Sequence, residues 1–240
     1  MTAQFLPSGD TALVVEFGER IDRALNDRVL NLRLLVNAAK LPGVVETIPT
    51  LRSLLVRYDP LTTDSASLIA AIEGLLDSGG RKATSAKLWR IPACYAQSHA
   101  PDLDDVAERT GLDRDEVVRL HSGTRFQIYM IGFVPGFPYM GDLPQALVLP
   151  RRTDPRVRVP RGSIAIATGM TSIYPIESPG GWHLIGATPI RLFDLHWPRP
   201  ALLGPGDLVE FEPIPAREFD AIHAAVAAGT YQLHSEAVAA

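Results

Sequence analysis

Residues 77–87 constrain the fold of this chain more than any other segment. They read DSGGRKATSAK, lack large apolar side chains and contain two adjacent glycines, which is typical of a linker. The hydrophobic pattern differs on its two sides, and a length of 240 residues also favours two domains. The sequence therefore predicts one domain over residues 1–80, a second over residues 88–215, and a C-terminal helix and tail over residues 216–240.

The first domain alternates between strand and helix patterns. Strands are predicted at residues 12–17, 44–48 and 53–58. Apolar residues three or four apart predict one face of a helix that ends near Pro42; they are Ile21, Leu25, Val29, Leu32 and Val36. A second helix is predicted from the Asp64/Ser65 cap. This β-α-β-β-α order, closed by an additional strand, is typical of a ferredoxin-like α/β sandwich.

The second domain begins with helices and continues with strands. Residues 102–122 predict two short helices, with Gly111 ending the first and Asp113 capping the second. From Phe126 to Ile214, short β-rich runs are interrupted by Pro and Gly, which predicts an antiparallel sandwich or a small closed barrel. The tail, residues 217–240, predicts one packing helix that frays at its end.

Charge and cysteine content narrow the class of protein. The 23 basic and 27 acidic residues give a net charge of −4, so the whole chain has no electrostatic preference for nucleic acid or anionic membranes. The single cysteine, Cys94, is predicted to be a buried apolar residue. The start of the chain lacks a signal-peptide pattern, and no stretch approaches the roughly 20 apolar residues of a membrane span. We expect a cytoplasmic protein.

A first candidate stretch for a functional site is FVPGFPYMGDL, residues 133–143. Its prolines, glycines and aromatic residues make a rigid, irregular backbone, which fits a loop that lines a pocket. The alternative is a packed corner of the β-structure, where the aromatic residues fill gaps.

A second candidate stretch is basic. Residues 150–163 carry five arginines against Asp154, a local charge of +4. Guanidinium groups bind carboxylate and phosphate through two hydrogen bonds, so this stretch predicts an anion site. The alternative is a solvated strand pair whose arginines prevent edge pairing.

The third stretch, residues 173–189, contains Tyr174, Glu177, Ser178, Trp182 and His183. No G-x-S-x-G motif surrounds the serine, so nucleophilic catalysis is not supported, and His183 is equally compatible with a structural role. The histidine spacing matches no metal-binding pattern, so no metal site is predicted. The chain also lacks a glycine-rich phosphate-binding motif.

Several long motifs occur in an order that resembles the KipI / allophanate hydrolase subunit 1 family, which is associated with the B component of bacterial 5-oxoprolinase. The motifs are LPSGDTALVVEFGERID, LRSLLVRYDPL, FVPGFPYMGDL, PRRTDPRVRVPRGSIAIA, TSIYPIESPGGWHLIGATP, LFD and PGDLVEF. The resemblance implies a ferredoxin-like α/β domain followed by a cyclophilin-like antiparallel β-barrel. It does not imply prolyl isomerase activity, because a fold does not carry a function.

The resemblance also implies a function. Such proteins act with two partner proteins, one KipA-like and one LamB/YcsF-like, to open 5-oxoproline to glutamate, using ATP with Mg²⁺ as its counter-ion. The chain is then expected to be a non-autonomous subunit, inactive alone. Other members of the family imply two alternatives: a regulatory module that inhibits a sensor histidine kinase, and a subunit that handles urea- or allophanate-like amides.

On this hypothesis, three residues orient the ligand or move protons: Tyr174, Ser178 and His183. The residues expected to bind or enclose the substrate are Phe133, Pro135, Gly136, Phe137, Tyr139, Arg151, Arg156, Arg158, Ser163, Thr171 and Trp182. Met170 and Ala187 stand where other members of the family have Gln and Arg. These departures remove an amide and a guanidinium from the expected site.

Overall fold

The computed structural model describes residues 3–79 and 85–239. They form two compact units, residues 3–79 and residues 85–238, and each unit has its own apolar core. Residues 80–84 of the predicted linker lie outside the described residues, and a strand already begins at Ser85.

The first unit is a four-stranded antiparallel sheet with two helices. Its elements are β1 (Gln4–Pro7), β2 (Ala12–Glu16), α1 (Arg23–Ala39), β3 (Val44–Pro49), β4 (Ser53–Tyr58) and α2 (Ser65–Asp77). The strand order is β1-β2-β4-β3. The fourth strand of this sheet is β1, which precedes the predicted β-α-β-β-α pattern and pairs with β2.

Local capping explains where these helices begin. The Asp22 carboxylate accepts a hydrogen bond from the Leu25 N–H at 2.9 Å, and Asp64 caps α2 in the same way through Ser67. The predicted inward placement of Ile21 is wrong, because this residue precedes the cap and is 48% exposed. The other four residues predicted on that helix face are buried: Leu25, Val29, Leu32 and Val36.

The second unit is larger. Its elements are β5 (Ser85–Ala93), α3 (Leu103–Thr110), α4 (Arg114–Ser122), β6 (Phe126–Ile131), β7 (Pro138–Met140), a 3-10 turn (Gln145–Leu147), β8 (Arg156–Val159), β9 (Ser163–Ala167), β10 (Met170–Ile173), β11 (Ser178–Gly180), β12 (His183–Ala187), β13 (Leu208–Pro213), α5 (Ala216–Ala227) and β14 (Ser235–Ala239). As predicted, Gly111 ends α3 with φ 71° and Asp113 caps α4. None of the described helices is long and apolar enough to cross a bilayer.

The sheet of this unit has eight strands in the order β12-β9-β10-β7-β6-β13-β5-β14, and β8 pairs with β11 in a separate sheet. The mixed helix-and-sheet architecture is confirmed, but the predicted closed barrel is wrong, because the sheet has two edges. Among the described residues, an isolated β-bridge between Cys94 and Ala187 connects the end of β5 with β12. The sheet does not close along β5 itself, because β5 already lies between β13 and β14.

Two further predictions for this unit need correction. The sheet is not wholly antiparallel, because β13 runs parallel to β5 over six residue pairs. The tail is not one helix: α5 ends at Ala227, Gly229 adopts φ 71°, and the chain then continues into β14. A strand forms here because the open side of β5 offers unpaired backbone groups.

Candidate functional site

An aromatic cluster in the second unit joins residues that lie far apart in the sequence. The ring centroid of Phe137 is 5.1 Å from that of Tyr174, 5.0 Å from Tyr139, 6.0 Å from Trp182 and 5.5 Å from Phe133. The rings meet edge to face, an arrangement that the positive edge and negative face of aromatic rings favour. We call these five residues the aromatic cluster. The first and third candidate stretches of the sequence therefore meet.

The backbone around the cluster depends on glycine at two positions. Gly136 adopts φ 80°, and a β-carbon there would lie 2.9 Å from the Phe193 side chain. At Gly180, a β-carbon would overlap the hydroxyl of Tyr174. Gly136 is therefore needed to bring Phe137 inward, and Gly180 leaves room for the Tyr174 hydroxyl.

The two tyrosine hydroxyls of the cluster stay protonated at neutral pH. Burial raises the pKa of Tyr174 to about 12, although Arg151 and Arg156 act in the opposite direction. Burial also raises the pKa of Tyr139, again opposed by Arg151. Each hydroxyl therefore remains a hydrogen-bond donor. The basic stretch reaches this cluster through its backbone, because Arg156 of β8 pairs with Gly180 of β11 beside the Tyr174 hydroxyl.

A buried carboxylate holds two of the predicted arginines in place. Asp102 is 4% exposed and accepts hydrogen bonds from Arg156 Nη2 at 2.6 Å, from Arg152 Nη1 at 3.1 Å and from the Leu184 N–H at 2.7 Å. Two guanidinium groups thus share one negative charge. Asp102 was not among the predicted site residues, because in the sequence it stands at the beginning of a helical segment, 50 and 54 positions before its two arginines.

The remaining arginines of the basic stretch lie at the surface. Arg158 forms two hydrogen bonds with Glu177, at 2.9 and 2.8 Å, and these bonds lower the pKa of that carboxyl. Arg151 and Arg161 are exposed. The structure therefore divides the basic stretch into a paired surface part, a part fixed on Asp102, and Arg151 beside the tyrosines.

Other predicted site residues make contacts that do not involve the rings of the aromatic cluster. His183 is fully buried, and its Nε2–H donates to the Pro150 carbonyl at 3.0 Å. The Ser178 hydroxyl is buried and has no hydrogen-bond partner among the described residues. Pro135 is exposed and Ser163 is buried on β9. Neither these contacts nor their burial tests the proposed roles, which stay predictions.

The two departures from the family pattern are both buried. Met170 begins β10, and the backbone of Ala187 pairs with that of Cys94 through hydrogen bonds of 2.7 and 2.9 Å. Cys94 itself is fully buried, as predicted. The side chains at positions 170 and 187 therefore contribute apolar packing where an amide and a guanidinium were expected.

Thr171, predicted to bind substrate, belongs to a hydrogen-bonded chain in the protein interior. Its hydroxyl donates to the Ala165 carbonyl at 3.1 Å, so its oxygen accepts the Nε2–H of His121 at 2.9 Å. The other ring nitrogen then accepts the Tyr95 O–H at 2.8 Å. Every proton in this chain has a partner, which indicates a structural role for a neutral His121.

We expect His121 to make the stability of the protein dependent on pH. Burial lowers the pKa of His121 to about 3, so the unfolded chain binds a proton more readily than the folded one. Stability is complete above the unfolded pKa near 6.5 and falls as the pH drops toward 3. The expected loss at pH 5 is about 2 kcal/mol.

Urea unfolding at pH 5 and at pH 7.5 measures this dependence. His121→Gln serves as the matched variant, since the amide cannot be protonated. The difference in pH dependence between the wild type and the variant isolates the histidine. Identical pH profiles for the two proteins would contradict the buried neutral state.

Comparisons with known proteins agree with one another. The family model described as carboxyltransferase domain, subdomain C and D, matches residues 3–203. Among curated relatives, the B component of 5-oxoprolinase from Bacillus subtilis is 35% identical over 224 residues, which cover 89% of this chain and 93% of the relative. The corresponding component from Escherichia coli O157:H7 is 37% identical and covers 85% of this chain and 93% of the relative.

Solved structures give the same result for the fold. The crystal structure of TTHA0988 is 35% identical with a TM-score of 0.76; the match covers 85% of this chain but only 40% of that chain. The Kluyveromyces lactis urea amidolyase has a TM-score of 0.82 at 22% identity, and the match covers 99% of this chain and 16% of that chain. The second likeness supports the fold alone. The chain thus corresponds to less than half of these two solved chains.

Proposed function

This chain belongs to the family of the carboxyltransferase domain, subdomain C and D, together with the B component of 5-oxoprolinase, and we propose on that premise that it serves in a 5-oxoprolinase complex. The family membership confirms the resemblance found in the sequence. Two curated relatives above 30% identity carry the same name, and the chain covers 93% of each.

The proposed reaction opens the lactam ring of 5-oxoproline to give glutamate, with ATP as co-substrate and Mg²⁺ as its counter-ion. ATP transfers its γ-phosphoryl group to the carbonyl oxygen of the lactam and leaves as ADP. A first water attacks the carbonyl carbon, and the C–N bond breaks while the nitrogen takes a proton, which leaves an acyl phosphate. A second water attacks the acyl carbon, so the glutamate carboxylate receives its second oxygen and phosphate leaves with the original carbonyl oxygen. Phosphorylation is needed because an unactivated amide is a poor electrophile at neutral pH.

The observation that carries this proposal is the convergence of the aromatic cluster with Arg151 and Arg156. In it, Phe137 and Trp182 form apolar walls for a small ring and exclude water, while Tyr174 donates a hydrogen bond to the ligand. Exclusion of water strengthens each of these polar contacts. His183 has a supporting role in this proposal, because it holds the Pro150 carbonyl next to Arg151.

We also propose that the chain is inactive alone. The curated relatives are named as subunits, and the chain matches only 40% of the solved TTHA0988 chain, which supports a need for further polypeptide. The proposed partners are a KipA-like protein and a LamB/YcsF-like protein. They would supply the residues that bind ATP and complete the reaction.

Reconstitution tests this function. The protein alone, its KipA-like and LamB/YcsF-like partners, and the complete set are each assayed for ATP-dependent release of glutamate from 5-oxoproline. Activity confined to the complete set is the expected result. ATP-dependent turnover of urea or allophanate in place of 5-oxoproline would contradict it, and so would tight binding of a histidine kinase by a complete set that has no hydrolase activity.

A further inference from the structure

The arginines near the aromatic cluster differ in how their charge is compensated. Arg158 is paired with Glu177, and Arg152 and Arg156 share the single carboxylate of Asp102. Within the described ranges, Arg151 forms no ion pair, and its side chain is exposed. The pair on Asp102 leaves one positive charge uncompensated, and Arg151 adds another.

These uncompensated charges lie beside the two protonated hydroxyls. Arg156 on β8 pairs with Gly180 on β11, and Gly180 lies against the Tyr174 hydroxyl. The Arg152 N–H, next to Arg151, donates to the Gly181 carbonyl at 2.8 Å. Arg151 also acts electrostatically on both tyrosines. One nitrogen of Arg156, Nη1, is buried and has no hydrogen-bond partner among the described residues. Asp102 accepts three hydrogen bonds, from its two arginines and from a backbone N–H.

We infer that Arg151, Arg156, Tyr139 and Tyr174 form a subsite for the carboxylate of the lactam substrate. This inference rests on the proposed function and deepens it. All four side chains offer donors, and a carboxylate is the planar acceptor that a guanidinium fork fits. The aromatic cluster borders this subsite, so the lactam ring lies against the aromatic side chains while its carboxylate meets the four donors.

A carboxylate fits this subsite better than a triphosphate does. A single exposed guanidinium, Arg151, gives one planar contact with two hydrogen bonds. A triphosphate carries several negative charges, whereas Arg151 and the single excess charge of the Asp102 group supply two positive charges, since Arg158 is held by Glu177. Asp102 thus acts as a positioning residue for Arg156, because it fixes Nη2 and leaves Nη1 for the ligand.

The experiment compares two lactams in the reconstituted complex. 5-Oxoproline is the substrate, and 2-pyrrolidinone, which has the same ring without the carboxylate, is tested as a competitive inhibitor. For Arg151→Ala, kcat/KM for 5-oxoproline is expected to fall about 10- to 150-fold, the range for a hydrogen bond to a charged group. The inhibition constant of 2-pyrrolidinone is expected to stay unchanged. Arg151→Lys should recover only part of the loss, because an ammonium lacks the planar fork.

Arg119→Ala is the matched control, because it removes the same charge in the same unit at a surface guanidinium that Glu116 already holds. It should alter neither constant. An equal effect of Arg151→Ala on both lactams would overturn the carboxylate assignment, and an increase confined to the KM of ATP would assign the subsite to phosphate instead.

If the wild-type complex does not act on 5-oxoproline, the proposed function fails. Calorimetric titration of the complex with the two lactams then decides the subsite: it stands if Arg151→Ala weakens 5-oxoproline alone, and falls otherwise.

Discussion

Replacing Asp102 with Asn lowers the free energy of unfolding by about 3–5 kcal/mol, the usual cost of removing one partner of a buried ion pair. The change leaves Arg152 and Arg156 without their shared carboxylate in a site where Asp102 is 4% exposed. It also weakens the acceptor for the Leu184 N–H, which attaches the beginning of α3 to β12. The expected loss of stability therefore has two sources: the unpaired arginines and the weakened contact between α3 and the edge strand β12.

Urea unfolding followed by tryptophan fluorescence measures this loss in the second unit, to which Asp102 belongs. All three tryptophans, Trp89, Trp182 and Trp197, lie in the second unit. The matched control is Glu177→Gln, which removes the carboxylate partner of Arg158 at the surface. Exposed pairs contribute little, so the control should unfold at the wild-type urea concentration. A loss below about 1 kcal/mol for Asp102→Asn would show that the buried pair does not stabilise the unit.

The local features of this fold were predictable because they depend on neighbouring residues. An N-cap such as Asp64 or Asp113 acts on an N–H three residues later, and Gly111 ends a helix through its own φ of 71°. The strand pairs were not predictable in this way. Hydrophobic alternation identifies the buried face of a strand but not its neighbour, so the parallel pairing of β13 with β5 left no signal.

The candidate site was predictable only where a local feature of the sequence pointed to it. Residue type alone pointed to the aromatic loop and to Tyr174 and Trp182. Asp102 was missed, because its contacts join residues 50, 54 and 82 positions apart. His121 had a usable signal: Val117 and His121 are four residues apart on α4 and both are buried, a spacing that marks one helix face. The histidine was overlooked because apolar residues were used to define that face.

Replacing Tyr174 with Phe is expected to lower kcat/KM for 5-oxoproline about 100-fold in the reconstituted complex, within the range for the loss of a hydrogen bond to a charged group. Burial keeps the hydroxyl protonated by raising its pKa to about 12. Phenylalanine retains the ring that packs against Phe137, so the cluster itself should persist.

The matched control is Tyr139→Phe, which removes the other hydroxyl of the cluster. Tyr139 is only half-buried, so water can replace its hydrogen bond and the loss should be smaller. The pH dependence provides an independent check on Tyr174. Because its pKa lies near 12, the ratio of wild-type to Tyr174→Phe activity should stay constant from roughly pH 7 to 10. A ratio that collapses toward one in that range would mean that the hydroxyl ionises, and the donor role would then be wrong. A Tyr174→Phe loss no larger than that of Tyr139→Phe would place the donor elsewhere in the complex.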